Sequence, residues 1–450
     1  FFPRCYDAAQ KTDREDFVLD FRRSAVLRIV LLHNRLCREQ KQRLGAAGYS
    51  CNRDLLKASE RILRRWYYDL DPDHLDEDEA HEVLDDLAEE TWDALMLYSD
   101  LTQVHLCSQS TEKGPVRVPK RRFARPAGGE LEGKKTECDV EAKTTHWRSA
   151  ELNEWPEFHS HTWGQLDEEG QTALDELLDR LEKLFPQWSL QGGWSGRNVW
   201  IVKPGTNSKG SGIECMSSLP DLLHHCDRMP NRLVQKYIER PLLLFSGRKF
   251  DIRQWVLVRS VAPLKVFFFS ECYLRLCNGM YDLGDLRDRE RHISNWQVNK
   301  HGRNVVDGAV VSLSDFCSEL RELTGREDFW EEELLPSVKR IVIEVLRAAE
   351  GRLCHRAESF ELFGFDIMVD ENMRPWLLEV NLSPGCESRT PFLERMLERM
   401  AQRLVEVAVL GLEEPDGEKP DWIKICDDGA DKSPASLAVV EAAKRAADPM

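Results

Sequence analysis

No apolar run in this 450-residue chain reaches the roughly 20 residues that a helix needs to cross a bilayer, so no such span is expected. The thirteen cysteines include no CxxC pair and follow no regular spacing. That argues against a disulfide framework and fits a reduced, cytosolic setting. Basic residues are not in excess: 62 Lys and Arg stand against 79 Asp and Glu. With a net charge of −17, the surface as a whole does not advertise nucleic-acid binding. Solenoid-type repeats are absent. Three catalytic signatures are missing as well: the P-loop GxxxxGK[ST], the serine elbow GxSxG and the kinase pair HRD and DFG. What remains is a globular composition, 42% hydrophobic and 31% charged, long enough for two or three domains with sizeable cores. The chain begins at Phe1 rather than Met, so a partial or trimmed chain is expected, and a targeting segment upstream stays open.

Apolar residues recur at helical spacing over 14–38 and again over 54–107, so residues 1–107 read as a helical region. Within it, Asp69–Glu90 holds twelve acidic residues and no Lys or Arg, the pattern of a solvated face. Residues 108–150 turn to Lys, Arg, Gly, Pro and Thr and read as a basic flexible insertion. Residues 151–197 form a helical lead-in, with clear periodicity at Glu168–Phe185. From Asn198 the pattern becomes strand-like: VWIVK, RLVQKYI, FDIRQWVLV, LKVFFFSECYLRL, FELFGFDIMV and PWLLEVN. Helices are expected at Leu219–Cys226, Leu334–Arg352 and Phe392–Leu410. Residues 198–412 therefore read as an α+β core with antiparallel sheets. Residues 413–450 read as an acidic, loosely ordered tail.

Chemistry concentrates in that core. Phe365-Asp366-Ile367 and Trp376-Leu377-Leu378-Glu379-Val380-Asn381 read as adjacent strands carrying three oxygen donors in apolar surroundings. Alternate residues of a strand share a face, so Glu379 and Asn381 point the same way. With Asp366 they make a hard-oxygen set suited to Mg²⁺ carrying nucleotide phosphates. Two carboxylates buried there are costly unless a cation compensates them.

A second cluster supplies positive charge. In VWIVKPGTNSKGSGI, a strand delivers Lys203 and a glycine-rich turn carries Lys209, Gly210 and Gly212, so that backbone and ammonium groups can approach phosphate oxygens. Gln235-Lys236-Tyr237-Ile238 reads as a connection whose backbone could meet an adenine edge, or as a plain strand. Between Arg232 and Arg275 nine Lys and Arg stand against three Asp and Glu, in a chain that is acidic overall. Lys249, Asp251 and Arg253 alternate along one strand face, Arg275 ends the next strand and Lys300 closes RHISNWQVNK. Cations on inward faces call for anions, which a triphosphate and an acidic substrate would supply. A set built only for positioning and charge stabilisation fits a carboxylate–amine ligase. There ATP phosphorylates a carboxylate and an amine displaces phosphate from the acyl-phosphate. That chemistry is usually built on an ATP-grasp fold.

Taken in order, WIVKPGTNSKGSGI, VQKYIERPLL, GRKFDIRQWVLV, CYLR, HISNWQVNK, FELFGFDIMVD and PWLLEVNLSP resemble the tubulin–tyrosine ligase-like family across most of 198–385. The resemblance implies an α+β, ATP-grasp-like ligase using ATP and Mg²⁺. It implies phosphate contacts from Lys203, Lys209 and Gly210, and adenine contacts from Gln235, Lys236, Tyr237 and Ile238. Lys249 and Asp251 would lie near the nucleotide, and Ser294 and Asn295 near ribose and phosphates. Arg253, Arg275 and Lys300 would serve catalysis at the γ-phosphate and acceptor carboxylate. Asp366, Glu379 and Asn381 would ligate the metal.

The opening FFPRCYD and the stretch VQKYIERPLLLF look most like the glycylase branch, which adds glycine to glutamate side chains of tubulin tails. The chain reads HISNWQ where family members often have HLTNYS, and NLSP where glycylases tend to have NASP. The resemblance implies tubulin C-terminal tails or microtubules and a free amino acid, glycine, as partners, with no nucleic acid and no membrane. It implies work in the cytoplasm and cytoskeleton and, by analogy, in a cilium or flagellar axoneme. The alternatives are a polyglutamylase or tyrosine ligase of the same family, an inactive relative that binds tubulin, and a ligase for a small metabolite.

Overall fold

The computed structural model describes residues 1–42, 51–71, 88–89, 91–99, 163–164, 166–192, 196–205, 210–229, 231–300, 310–353, 356, 359–387, 390–411 and 420–429. Lys209, the 108–150 insertion and most of the acidic stretch after Asp69 lie outside these residues. The chain divides into two compact units. One comprises Phe1–Cys5, Trp200–Met216 and Asn231–Met450; the other comprises Tyr6–Val199 and Ser217–Pro230.

The second unit is helical. It contains α1 (Lys11–Gln42), α2 (Arg53–Leu70), a helical turn series at 91–99, α3 (Glu168–Leu184) and α4 (Leu219–Arg228). Residues three and four apart build its core: Val26, Leu27 and Val30 of α1, Leu63 and Trp66 of α2, and Leu174, Leu178 and Leu181 of α3. Asp167 starts α3 by accepting from the Gly170 N–H at 2.8 Å, satisfying a donor that the first turn leaves free. A short ribbon pairs β2 (Cys51–Asn52) with β3 (Trp163–Gly164).

The first unit carries the larger of two sheets, antiparallel throughout, and most of the smaller one, in which β4 (Trp200–Pro204) pairs antiparallel with both of its neighbours. The smaller runs β1 (Cys5–Asp7), β6 (Arg232–Lys236), β4 (Trp200–Pro204), β5 (Glu214–Met216). The larger runs β10 (Val310–Ser312), β9 (Tyr273–Met280), β7 (Arg248–Val261), β11 (Glu361–Val369), β12 (Pro375–Leu382), with β8 (Leu264–Phe269) pairing β7, and β13 (Trp422–Asp427) pairing β8. The α+β expectation therefore holds. The run LKVFFFSECYLRL, which reads as one strand, breaks at Ser270–Cys272 into β8 and β9. The tail expected to be loosely ordered contributes β13, because Trp422 and Cys426 bury apolar surface against the large sheet.

Strand alternation sorts β7 into a core and a site. Phe250, Ile252, Val256 and Val258 point into a layer with Phe316 and Leu320 of α7 (Leu313–Thr324) and Val338, Ile341 and Val342 of α8 (Leu335–Ala349). Two short helices precede these, α5 (Arg289–His292) and α6 (Trp296–Asn299). The other face of β7 is polar at its beginning, with Lys249, Asp251 and Arg253. Towards its end that face becomes apolar, where Trp255 and Leu257 pack on Leu393, Met396 and Met400 of α9 (Pro391–Ala408). The helix α7 fell outside the sequence expectations. Its apolar residues are few, and Ser312 supplies its N-cap by accepting from the Asp315 N–H at 3.1 Å.

Candidate active site

A bulge places the carboxylates. Across β11 and β12, Asp366 faces Glu379, yet Ile367 faces Leu377, so Leu378 is the extra residue. Leu377 can then enter the apolar layer while Glu379 and Asn381 turn to the polar face with Asp366. The Asn381 amide donates to Asp366 Oδ2 at 3.2 Å and to Glu379 Oε1 at 3.3 Å, so the three side chains meet.

Across the neighbouring strands the charges alternate. Register sets Arg275 of β9 opposite Asp251 of β7, and Arg253 of β7 opposite Asp366 of β11. Arg253 donates Nε to Asp366 Oδ1 at 2.5 Å and Nη2 to Oδ2 at 3.2 Å. Arg275 reaches Asp251 at 2.6 Å and Asp366 at 2.7 Å. Gly364 makes room for this, since a Cβ there would sit 3.1 Å from Arg253 Nη1 and 3.0 Å from Pro384.

The two carboxylates titrate in opposite directions. Burial would raise Asp366, but Arg275 and Arg253 together hold it well below the usual carboxylate range. Glu379 has no such pair. Burial first, and the Asp366 charge second, push it up to about 6. Lys203 lies within the same field: burial lowers its ammonium and Glu379 pulls it back.

On the small sheet, Lys203 and Gln235 share a face, and Lys203 Nζ donates to Gln235 Oε1 at 2.7 Å. The Lys236 side chain takes the other face, fully buried in an ion pair with Glu239 at 2.7 Å and 5.4 Å from the Trp200 ring centroid. Tyr237 and Ile238 are buried just beyond β6. Lys249 donates to the His292 C=O and lies 4.9 Å from the Tyr237 ring centroid. Ser294 donates to Asp251. Gly210, at φ +86°, packs so closely on Asn295 that a Cβ would come to 2.8 Å from it. Lys300 caps α6, where its N–H donates to Trp296 O at 2.8 Å, and among the described residues it forms no ion pair with the carboxylates.

Other polar residues here were not singled out by sequence reasoning. Arg232 is 8% exposed, and its Nε and Nη1 find no partner among the described residues. A Cβ on Gly212 would lie 3.3 Å from that Nη1, so a buried cation backs the glycine-rich turn. The local basic excess was the signal for it. His292 Nε2 donates to Asp285 O at 2.9 Å, because a carbonyl can only accept. Its Nδ1 then accepts from Tyr237 OH at 3.0 Å, and burial holds the imidazole below its ordinary value, hence neutral. Asn299 donates to Ile293 O and Asn295 O while receiving the Asn278 N–H, which fixes the HISN segment.

The residues fit a divalent cation and a polyphosphate. Glu379 is a half-buried carboxylate that forms no ion pair with an arginine among the described residues, and Asp366 and Asn381 add hard oxygen donors. The orphaned guanidinium atoms of Arg232 and the desolvated Lys203 ammonium fit phosphate oxygens.

Strand-borne cations beside a carboxylate pair and a glycine-rich turn define an α+β protein with a site of phosphate-and-metal composition. The Tubulin-tyrosine ligase family model matches residues 149–416, and the chain belongs to that family. It is 39% identical over 260 residues to tubulin glycylase 3E of Tetrahymena thermophila, covering 54% of this chain and 18% of that protein. It is 36% identical over 245 residues to tubulin monoglycylase TTLL3 of Danio rerio, covering 52% of this chain and 31% of the relative. Over 443 residues it is 27% identical to protein monoglycylase TTLL8 of Homo sapiens, covering 91% of this chain and 45% of that protein. The chain thus spans less than half the length of these relatives.

Proposed function

We propose that this chain is an ATP-dependent ligase of ATP-grasp-like fold that joins glycine to glutamate side chains in the C-terminal tails of tubulin. The observation that carries the reading is the meeting of Asp366, Glu379 and Asn381 on one sheet face beside Arg253, Arg275 and Lys203. The names of the glycylase relatives support the choice of glycine and tubulin.

In this reading Asp366, Glu379 and Asn381 hold Mg²⁺, which supplies charge compensation to the phosphates of ATP. Lys203, Lys209, Arg232 and the Gly210–Gly212 turn hold the phosphates. Gln235–Ile238 hold the adenine, and Lys249, Asp251, Ser294 and Asn295 frame the nucleotide. A glutamate carboxylate oxygen of the tail attacks the γ-phosphorus, ADP leaves and an acyl-phosphate forms. The glycine amine then attacks the carbonyl carbon, the C–N bond forms, and phosphate and a proton depart. Arg253, Arg275 and Lys300 stabilise the negative charge that develops in both steps. By analogy the setting is the cytoplasm and the cytoskeleton, cilia and flagella included. No helix among the described residues is long and apolar enough to cross a membrane.

The test supplies ATP, Mg²⁺ and tubulin with glycine, glutamate or tyrosine in separate reactions and reads the tail masses. A mass gain with glycine alone is expected. A gain with glutamate or tyrosine reassigns the amino acid. Co-sedimentation with microtubules and no gain in any reaction would replace the ligase reading by that of a binding protein.

The site also sets a pH dependence. Mg²⁺ needs ionised Glu379, whose carboxyl is pushed up to about 6. Magnesium-dependent nucleotide affinity is therefore expected to fall by about tenfold per pH unit below that value. Stability runs the other way for this group. Its raised value means the ionised form costs the folded state above about 6, a cost relieved as pH falls towards its ordinary 4.5. Asp366 has the opposite sign: its contribution is present above its ordinary 3.8 and is lost only as pH falls towards its depressed value. Calorimetric titration from about pH 8 down to about pH 5 should find metal affinity lost as Glu379 takes up its proton, while the fold persists because Asp366 stays ionised over that range. A flat affinity profile contradicts the assignment of Glu379.

A further inference from the structure

Resting on the nucleotide-site reading above, we infer that Phe1–Cys5 is a positioning strap that fixes the carboxylate strand relative to the Gln235–Ile238 connection. The Phe1 carbonyl accepts from the Leu377 N–H at 2.8 Å, and the Arg4 carbonyl accepts from the Lys236 N–H at 2.8 Å. Leu377 lies on β12, the edge of the larger sheet's main path, two residues before Glu379. Lys236 directly follows Gln235 on β6, and the chain runs on from the strap into β1, which borders β6. One short segment therefore satisfies an amide on the open edge of β12, a group that strand edges otherwise leave to solvent or to other chains, and an amide at the end of β6.

The spacing gives the contact its consequence. Phe1 and Arg4 are three residue steps apart, with Phe2 and Pro3 between them, and extended chain covers at most about 3.6 Å per step, so the two anchor points are held within roughly 11 Å. Pro3 is buried between them and restricts the backbone, which lowers the entropy lost on ordering. The Arg4 guanidinium lies 5.7 Å from the ring centroid of the fully buried Trp200 in β4. A separate tie joins the segment that follows the connection to the turn between β11 and β12: Leu242 N–H donates to Val369 O at 2.8 Å, and Glu371 N–H donates to Arg240 O at 2.9 Å. One tie alone permits hinging of one sheet on the other, while two brace them. The opening FFPRC of the sequence thus gains a physical role in setting the distance from the metal-binding carboxylates to the adenine contacts.

The experiment compares the full chain with its Pro3→Gly/Arg4→Ser double variant by amide-resolved hydrogen exchange and by nucleotide kinetics. Exchange at Lys236 and Leu377 should quicken together by about tenfold or more, while Ile252 of β7 and Val342 of α8 keep their protection. The KM for ATP should rise about three- to tenfold with kcat within about twofold. Unchanged exchange at both amides overturns the strap, and so does equal acceleration at Ile252 and Val342, which would mark a general loss of stability. In the unsubstituted chain, a non-hydrolysable ATP analogue with Mg²⁺ should slow both amides together. Slowing at Lys236 alone also overturns the inference. If the unsubstituted chain binds no nucleotide, the proposed function fails, and the paired exchange of the two amides still decides the strap.

Discussion

Glu379→Gln is expected to abolish ligation, with a loss of more than about a hundredfold, while leaving the fold as stable as before or slightly more so. The two halves of that expectation come from the same electrostatics. Glu379 sits opposite Asp366 and is pushed up to about 6, so holding it ionised near neutrality costs the folded state on the order of 2 kcal/mol against its ordinary 4.5. Glutamine removes that cost. It keeps the length of the side chain and an oxygen to accept from the Asn381 amide, now 3.3 Å from Oε1. What it cannot replace is the negative charge that a divalent cation requires of this position. Thermal unfolding should therefore give a midpoint equal to or above that of the parent chain. Calorimetry should find magnesium-dependent nucleotide uptake gone. A variant that still turns over shows Glu379 to be dispensable. A clearly lowered midpoint shows instead that the charge was holding the fold.

Much of this site was legible in the sequence because β-strands alternate. Lys249, Asp251 and Arg253 share a face by position alone, and FDI followed by EVN announced two carboxyl-bearing strands. The bulge at Leu378 was not legible. A regular strand would put Leu377 on the same face as Glu379, and only the paired register places it in the apolar layer instead. Nor could spacing tell what each buried charge would find. Lys236 reads as part of a connection whose backbone meets an adenine edge, and nothing in that pattern tells that its side chain pairs with Glu239 on the other face of the sheet. Ser294 and Asn295 came from the resemblance, and their places depend on Asn299 and Gly210, contacts that no local pattern encodes. The strand β13 was hidden for a different reason: its few apolar residues sit in an acidic, proline-bearing stretch, and their burial against β8 is a tertiary effect. Domain boundaries were blurred likewise, since Phe1–Cys5 joins the sheets by hydrogen bonds distant in sequence.

Asp366→Asn should behave in the opposite way to the glutamate variant, unfolding more easily as well as losing activity. Asp366 is 1% exposed and answers two guanidinium groups, Arg253 through both oxygens and Arg275 through Oδ2. Asparagine leaves those arginines buried with Asp251 as the one carboxylate between them, and breaking a buried pair from one side costs about 3–5 kcal/mol. For a unit of this size that corresponds to a fall in the unfolding midpoint of roughly 10 °C. A second substitution tests the cause. Adding Arg253→Met removes the stranded charge while keeping much of the side-chain volume, so the double variant should regain part of the lost midpoint without regaining activity. Restoration of that kind, read as a non-additive cycle, would place the penalty on the unpaired guanidinium. An unchanged midpoint in the single variant, or strict additivity in the double, would mean that these ion pairs do not carry the stability of the sheet. In that case Asp366 would serve the metal alone, and its two arginine contacts would be no more than neighbours in a crowded polar face.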